Sequence, residues 1–410
     1  MVTVESRRSG DGEDKLTVRV TTMLGALAIV VVTASAATAR DSATATVRAD
    51  MSRPIYGTRT FTQFVEHPGD GLYEGPRVGP DSSARAAAVA ASAPPGTPLN
   101  AQLTGDLVPT HDPVIIREGD TYYVFSTGSD NGRFVRAKTS KDLVHWTAAG
   151  ALIDRLPDWA TRAVPGTQDM WAPDISYVNG RYRLYYAVST FGSNRSGIGL
   201  FTSPTLDPKA QGYGWRDEGL VVMSTERSDF NAIDPNFVID RKGRHWLALG
   251  SFWTGLKLFA LDPKTGKLAK EGEAPRAIAR RPVPAGAPDP VEAPFIIDHG
   301  GFYWLIASYD YCCKGVASTY YTVVGRARAI IGPYLGKDGS AMMRGGGTIL
   351  LRADLPEKER FRGPGHVGVL RDRGTDYLAY HAYDREKNGA PTLRIARIHW
   401  GADGWPQAED

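Results

Sequence analysis

Cysteine is almost absent from this sequence, and its scarcity limits how the protein can be stabilised. The 410 residues contain two cysteines, Cys312 and Cys313, which are adjacent and so cannot join distant segments. They lack the CxxC spacing of structural zinc sites, so such a site is not expected. The pair is compatible with a bridge between neighbours, a strained feature that tends to occur at functional sites, or with two reduced thiols. Stability must therefore come from a packed core.

Excess charge and long helical stretches are scarce as well. Lys and Arg exceed Asp and Glu by only three, and the basic residues are scattered without forming a stripe. Nucleic-acid recognition needs a basic surface, so we expect no nucleic-acid partner. Stretches with helical periodicity are missing after residue 105, whereas 45 glycines and 27 prolines suit many turns. The composition favours a large, turn-rich globular region.

The amino terminus differs from the rest of the chain. An apolar run, Met23–Val32, follows the basic residues Lys15 and Arg19 and precedes small-residue cleavage sequences at 34–36 and 37–39. This pattern predicts a signal peptide over residues 1–39 and a secreted, extracellular protein. A retained membrane anchor is the alternative, for which the run is short. Residues 40–105, rich in Ala, Ser and Pro toward their end, are predicted to be a disordered linker.

A repeated unit accounts for residues 106–410. Each unit has an apolar strand, a charged turn with glycine and an aromatic-rich strand, and a third strand-like run usually follows. The units begin near Asp112, Asp174, Asp234, Glu292 and His366, with spacings of 58 to 74 residues. That length suits about four short strands, the size of a propeller blade. The sequence therefore predicts an all-β, five-bladed β-propeller whose first strands line the central axis.

Three units carry an acidic residue shortly before a proline and the apolar strand: Asp112 in HDPVII, Asp234 in AIDPNFVI and Glu292 in VEAPFII. Asp-Pro is a common turn sequence, so any single one has a structural explanation. A carboxylate entering a buried strand is costly unless it is used, and three in matching settings indicate one shared site. Paired carboxyls can hydrolyse a glycosidic bond: one protonates the leaving oxygen while the other activates water or attacks carbon. A third acid can raise the pKa of the proton donor.

Aromatic residues lie close to these strands in the sequence. Trp171, Phe252, Trp253 and Tyr309 are placed to supply flat faces for sugar rings. A tryptophan chosen without context is more readily explained as a core residue packed between blades. Because Trp171 and Trp253 follow the same inner-face pattern as the acids, we expect both in a substrate groove.

Six longer motifs occur along residues 106–410 in a fixed order: HDPVIIREGDTYYVFSTG, WAPDISYVNGRYRLYYAVSTFGSN, NAIDPNFVID with GSFWTGLKL, VEAPFII, SYDYCCKGVASTYYTVVGRA and GPGHVGV. These motifs resemble those of the arabinanases of glycoside hydrolase family 43. The resemblance implies a five-bladed propeller and an inverting mechanism. It also implies that Asp112 is the general base, Glu292 the general acid, and Asp234 the residue that raises the pKa of the acid and orients it.

The same resemblance implies contacts for substrate and for a cation. The expected substrate contacts are Asp112, Gly192, Asn231, Ala232, Ile233, Asp234, Ser251, Phe252 and Trp253. His366 would bind a cation, typically calcium, near the axis and largely through water. From the residues alone, His366 is better explained as a hydrogen-bonded core histidine, and calcium normally prefers oxygen ligands. His111, next to the expected base, is a further candidate near the axis.

These expectations combine into one functional hypothesis. The chain is expected to be a secreted endo-hydrolase that cleaves α-1,5 linkages of plant cell-wall arabinan, acts as a monomer, and has no membrane partner once the signal peptide is removed. One alternative is an exo-acting α-L-arabinofuranosidase or β-xylosidase of the same family. A second alternative, from another class, is a sugar-binding propeller without turnover.

Overall fold

The computed structural model describes residues 2–8, 14–20, 94, 96–283, 287–353 and 359–409. The chain divides into two units, residues 1–65 and 66–410. In the first unit, Val2–Arg8 (β1) and Asp14–Val20 (β2) form an antiparallel hairpin. Met23–Val32 and most of the expected linker lie outside the described residues, so the signal peptide over 1–39 and the linker over 40–105 stay predictions. No helix in the described ranges is long and apolar enough to cross a membrane.

The second unit is built from five sheets, each made of consecutive antiparallel strands. The first sheet also carries a short parallel edge strand, Thr104–Gly105 (β3), paired with its outer strand. The strands of blade one are His111–Glu118 (β4), Thr121–Asp130 (β5), Arg133–Ser140 (β6) and His145–Ile153 (β7). Those of blade two are Trp171–Val178 (β8), Arg181–Val188 (β9), Ser196–Ser203 (β10) and Arg216–Ser224 (β11).

The remaining three blades repeat this plan without an added edge strand. Blade three contains Asn236–Ile239 (β12), His245–Leu249 (β13), Leu256–Leu261 (β14) and Arg276–Ala279 (β15). Blade four contains Val291–His299 (β16), Phe302–Tyr309 (β17), Tyr321–Ala327 (β18) and Thr348–Leu351 (β19). Blade five contains Phe361–Asp372 (β20), Thr375–Asp384 (β21), Ala390–Trp400 (β22) and Pro406–Ala408 (β23). The predicted five-bladed propeller is confirmed.

Within the described residues, helix is confined to short connections. The α-helices are Leu99–Gln102 (α1) and Asp158–Ala163 (α2), and single 3₁₀ turns lie at Gly315–Ala317, Met342–Arg344 and Arg385–Lys387.

The packed part of the chain begins at α1, several residues before the predicted boundary at 106. Leu99 and Asn100 are buried. Asn100 accepts a hydrogen bond from the backbone N–H of Ile395 in blade five (2.9 Å) and donates one to the Tyr380 hydroxyl (2.9 Å). Because a buried amide needs its partners, these bonds fix the segment between the first and last blades. The end of the expected linker is therefore part of the closure of the ring.

The hydrophobic core lies between blades. Five clusters of buried residues occur in the described part of the chain, and each joins two neighbouring blades. One of them packs Ile115 and Val124 of blade one against Leu393 and Ile395 of blade five, so the ring closes through apolar contacts. This packing explains why aromatic residues, leucine and alanine are frequent in the second strands of the blades.

Candidate active site

A bulge at the entry to each inner strand sets the geometry of the axis. One non-glycine residue there has a left-handed backbone in every blade, with φ between 44° and 56°: Asp112, Ala172, Asp234, Ala293 and His366. In blades one, two, four and five, the pairing with the second strand shifts register next to this residue. Left-handed backbone is costly for residues other than glycine and is concentrated at functional sites. The left-handed residue therefore marks the same place in all five blades, and in four of them it forms a bulge.

These bulges correct the alignment of the repeats made from the sequence. In blade four the bulge residue is Ala293, so Glu292 lies one position before the place held by Asp112 and Asp234. In blade two the bulge residue is Ala172, and Asp174 follows it by two positions. A bulge inserts a residue without changing the apolar pattern that follows. Asp112 and Asp234 therefore reach the site from the left-handed position itself, and Glu292 reaches it from the residue before that position.

Neighbouring blades are joined at the bulges by side-chain acceptors. Four of the bulge N–H groups donate to a side chain of the preceding blade: Ala172 to Thr127 Oγ1 (2.7 Å), Ala293 to Asp234 Oδ2 (3.1 Å), His366 to Ser308 Oγ (2.9 Å) and Asp112 to His381 Nδ1 (3.1 Å). Because these groups are buried, leaving one unpaired would be unfavourable. Asp112, Asp234 and His366 therefore also take part in joining neighbouring blades.

Asp112 is held in a setting that favours its ionised form. Thr127 Oγ1 donates to Asp112 Oδ2 (2.6 Å), His111 Nδ1 lies 2.9 Å from the same oxygen, and His366 Nδ1 lies 3.0 Å from Oδ1. Burial alone would raise the pKa of Asp112, but the interactions with His111 and His366 outweigh it and hold that pKa well below its ordinary value. Asp112 is suited to accept a proton.

His381 supports Asp112 without carrying a charge. Its Nδ1 accepts the backbone N–H of Asp112, and burial holds the pKa of His381 well below its ordinary value. Its Nδ1 also lies 3.7 Å from Asp112 Oδ1, but a nitrogen that accepts an N–H has no proton to offer the carboxylate, so this pair is not an ion pair. The ring stacks on His111, with centroids 4.1 Å apart, and so keeps that imidazole in place.

Asp234 and Glu292 form the second half of the site and interact with each other. Burial raises the pKa of Asp234 well above its ordinary value, and Glu292 and Asp112 add to the shift against the opposing effect of His366. Burial also raises the pKa of Glu292, although a hydrogen bond from Ser251 Oγ to Glu292 Oε2 (2.7 Å) opposes the shift. The pair thus keeps a proton to higher pH than isolated carboxyls would. The site combines an ionised carboxylate with a protonated pair.

His366 is a buried partner of Asp112 with an open second nitrogen. Burial opposes its charge, but Asp112 above all, with Asp234 and Glu292, raises the pKa of His366 to about 9. Among the described residues, no side chain hydrogen-bonds to its Nε2. Without an ion, Nε2 therefore carries a proton near neutral pH, and a cation would have to displace that proton. A carboxylate on the other ring nitrogen is the usual arrangement of a metal-binding histidine. The described clusters of three possible ligands do not include His366, so a cation there would take its other ligands from water. The residues fit the predicted cation in this limited sense.

The expected substrate contacts on blades two to four differ in exposure. Trp171, Phe252 and Trp253 are half-buried, and Gly192 is exposed beside Phe191, which is 86% exposed. Phe252 and Trp253 both have left-handed backbones, and the Phe252 N–H donates to the carbonyl of Val291, which places the loop beside Glu292. Partly exposed rings on a fixed backbone are suited to stacking on sugars.

The segment 231–233 is less accessible than expected. Ala232 is fully buried, and its N–H donates to Ser224 Oγ (2.8 Å), so its side chain and N–H are both used inside the protein. Ile233 is half-buried and accepts the N–H of Gly250 through its carbonyl. Asn231 is buried, and its Oδ1 has no hydrogen-bond partner among the described residues. Of the three, Asn231 retains an unused polar atom.

Tyr309 does not face a groove. It is 1% exposed, and its hydroxyl donates to the carbonyl of Gly346 (2.8 Å). Its position at the end of a second strand led to the prediction of a sugar-facing ring, which is wrong because the ring packs into the cluster between blades three and four.

Several residues of the site were not identified from the sequence. Thr127, Ser308 and His381 occupy the same place in their second strands, each paired with the residue just before a bulge. Tyr383, two residues after His381, places its hydroxyl 3.0 Å from His111 Nε2. A polar residue recurring in an otherwise apolar strand was the available signal.

The two cysteines lie beside this group. Cys312 and Cys313 are joined by a disulfide, which settles the two alternatives left open by the sequence. The N–H of Cys313 donates to the Tyr383 hydroxyl (2.7 Å), and Cys313 Sγ lies 3.8 Å from His111 Nε2. The loop is therefore in contact with the residue that precedes the candidate base.

Known proteins are similar to this chain in sequence and in fold. Residues 108–406 match the family described as Glycosyl hydrolases family 43. "Extracellular endo-alpha-(1->5)-L-arabinanase 1" of Bacillus subtilis strain 168 is 42% identical over 297 residues, which are 72% of this chain and 86% of that protein. "Extracellular exo-alpha-(1->5)-L-arabinofuranosidase ArbA" of Cellvibrio japonicus strain Ueda107 is 40% identical over 311 residues, covering 74% and 87%. The solved structure "GH43 Endo-Arabinanase from Bacillus licheniformis" is 45% identical with a TM-score of 0.67, covering 75% of this chain and 99% of that one. Since the family match covers more than half of the sequence, the chain belongs to glycosyl hydrolase family 43.

Proposed function

We propose that this protein is a secreted arabinanase that cleaves internal α-1,5 linkages of arabinan with inversion of configuration. The observation that carries the hydrolase assignment is the contrast between the carboxyls: Asp112 is held ionised, whereas Asp234 and Glu292 keep a proton. Glycoside hydrolysis requires one carboxyl group that accepts a proton and another that donates one, on either side of the bond that is cleaved. The choice of arabinan is supported by the names of the similar proteins.

In the proposed reaction, Asp112 removes a proton from a water molecule as that water attacks the anomeric carbon. Glu292 protonates the departing glycosidic oxygen, and Ser251 keeps the Glu292 carboxyl in place. Asp234 fixes the backbone next to Glu292 through the N–H of Ala293 and favours the protonated form of the acid. An inverting enzyme keeps its two carboxyls roughly 6.5–9.5 Å apart so that water fits between them. Placement of the base on blade one and the acid on blade four supports such a separation.

A cation bound at His366 Nε2 is part of the proposal. Such an ion would supply positive charge near the axis and favour the ionised form of Asp112. The chain's own contribution is the hydrogen bond from His366 Nδ1 to Asp112 Oδ1, which orients both groups. Calcium is the proposed ion because the sequence resemblance implies it. Removal of the ion by a chelator, followed by activity and calcium content measured together, tests this point.

Exo cleavage is the second candidate, because the Cellvibrio relative at 40% identity is named for that activity. Linear arabinan labelled at one end separates the alternatives. Endo action gives a ladder of oligosaccharides and a rapid fall in viscosity, and exo action gives a single short product with a slow fall in viscosity. If arabinan binds but no product forms, the protein is a sugar-binding propeller, and the proposed hydrolase function is wrong. Proton magnetic resonance of the first product reports inversion or retention.

Secretion and the monomeric state complete the proposal. The relatives are named extracellular, and the sequence of residues 15–39 supports a cleaved signal peptide. Amino-terminal sequencing of protein collected from the culture medium tests the cleavage after residue 39, and light scattering tests the monomer.

A further inference from the structure

The disulfide loop of blade four and His111 of blade one bring three soft or borderline metal ligands to one point. The ligand atoms of His111, Cys312 and Cys313 all lie within 4.8 Å of one another. In the folded protein the sulfurs are bonded to each other, and a disulfide sulfur is a poor ligand compared with a thiolate. The same three residues would form an N,S,S set if the disulfide were opened.

We propose that reduction of the Cys312–Cys313 disulfide creates a site for a thiophilic d¹⁰ cation such as Zn²⁺ or Cd²⁺, with His111 Nε2 as the third ligand. This site is distinct from the calcium position proposed at His366. Two thiolates and one imidazole are the ligands such ions prefer, and water would complete a tetrahedral shell. The sulfurs are accessible to a reductant, because Cys313 is exposed and Cys312 is half-buried.

The imidazole is already oriented for this role. His111 Nδ1 lies 2.9 Å from Asp112 Oδ2, so its proton is used by a carboxylate and Nε2 is left as the lone-pair nitrogen. The Tyr383 hydroxyl, 3.0 Å from Nε2, accepts the N–H of Cys313 and has its own proton to donate to that lone pair. A cation would take the place of the hydroxyl proton, and no change of the His111 tautomer is needed.

The chemistry balances with a dithiol as the reductant. The dithiol transfers two electrons and two protons to the disulfide and becomes a cyclic disulfide itself, so the S–S bond breaks and two S–H bonds form. Binding of the cation then displaces the two thiol protons to solvent as two metal–sulfur bonds and one metal–nitrogen bond form. Oxidation reverses the sequence and releases the ion.

The consequence for activity rests on the proposed function, because the cation would sit next to the candidate base. The ion and its bound water would occupy the edge of the cleft beside Asp112 and obstruct the water and sugar that must reach this carboxylate. We expect the reduced protein to be inhibited by Cd²⁺ and the oxidised protein to be unaffected.

Binding can be tested without any assay of hydrolysis. Full-length protein is reduced with a dithiol, desalted under nitrogen and titrated with cadmium chloride, with the thiolate-to-cadmium absorption band and calorimetry as readouts. With excess calcium present to fill the position proposed at His366, the reduced protein should bind one more cadmium ion per chain than the oxidised protein. Cys312→Ser and Cys313→Ser should each lose the site, and His111→Ala, which removes a direct ligand, should weaken it by at least the roughly 10- to 100-fold that loss of a second-shell partner costs.

X-ray absorption at the metal edge keeps the test independent of whether the variants fold. Two sulfur neighbours and one imidazole nitrogen in the reduced wild-type protein support the proposal. Equal binding to reduced and oxidised protein, two sulfurs without imidazole, or unchanged affinity in a folded His111→Ala variant would overturn it. If cadmium binds to the reduced protein but does not inhibit it, the proposed role of Asp112 is contradicted, whereas the metal site itself stands.

Discussion

Thr127 has two roles in the structure, and removing its hydroxyl should disturb both. The Oγ1 accepts the N–H of Ala172 (2.7 Å), so its own proton is donated to Asp112 Oδ2 (2.6 Å). In Thr127→Val the shape is retained, but Ala172, 1% exposed, has a buried N–H without a partner. An unpaired buried donor costs about 1–3 kcal/mol, so unfolding by urea should report a loss of that size.

The same substitution should change the pH dependence of catalysis. A hydrogen bond to a charged group contributes about 1.5–3 kcal/mol, and 1.36 kcal/mol corresponds to one pKa unit, so the pKa of Asp112 should rise by about one to two units. Asp112 must be ionised to act as the base, and activity is lost as the pH falls through its pKa. The acid limb of kcat/KM should therefore move to higher pH by about one to two units.

Thr127→Ser is the matched control, because it keeps the hydroxyl and loses only a methyl group. It should retain the acid limb of the wild-type protein and most of its stability. If Thr127→Val leaves the acid limb and the free energy of unfolding at the values of the Ser variant, then the hydroxyl neither supports the base nor pairs with the next blade, and the reasoning fails.

Three further substitutions test the remaining carboxyls. Glu292→Gln should nearly abolish turnover while sugar binding, followed by calorimetry, persists; rates close to wild type would exclude Glu292 as the acid. Asp234→Asn removes the carboxyl that competes with Glu292 for a proton, so Glu292 would lose its proton without a neighbouring carboxyl to oppose the new charge. The alkaline limb of the pH profile should therefore move to lower pH, and an unmoved limb would contradict the proposed role. Burial raises the pKa of Asp174 from 3.8 to about 7, so the folded state holds a proton that the unfolded state releases, and stability should fall by up to about 4 kcal/mol as the pH rises from about 4 to 7. Asp174→Asn should lack that fall, and equal pH dependence in chemical denaturation of the two proteins would refute the assignment.

The propeller could be predicted because its signal is local. Each blade begins with an apolar strand, a glycine turn and an aromatic strand, and these patterns lie within about 20 residues of sequence. Their recurrence gives the number of blades, and the place of the acids at the strand starts gives the axis. Asp112, Asp234 and Glu292 were found in this way, since a carboxylate entering an apolar strand is conspicuous.

The bulges could not be read from the same pattern. Ala293, and not Glu292, has the left-handed backbone, because an inserted residue changes the pairing without changing the order of apolar residues. Thr127 and His381 were missed for a related reason. A polar residue in an apolar strand was a signal, but their partners are 45 and 269 residues away, so the strand alone does not show which backbone N–H the side chain accepts.

The arrangement of the site follows from the way the ring is held together. In four blades, the N–H of the left-handed residue is paired by a side chain of the preceding blade that reaches the axis. An acceptor in that place is already buried and fixed, which are the conditions that shift a pKa. Asp234 shows both effects, since its Oδ2 accepts the N–H of Ala293 while burial raises its pKa. Asp112, Asp234 and His366 therefore belong both to the site and to the joints between blades, and a substitution chosen to remove the chemistry of Asp234 must keep an acceptor if its joint is to survive.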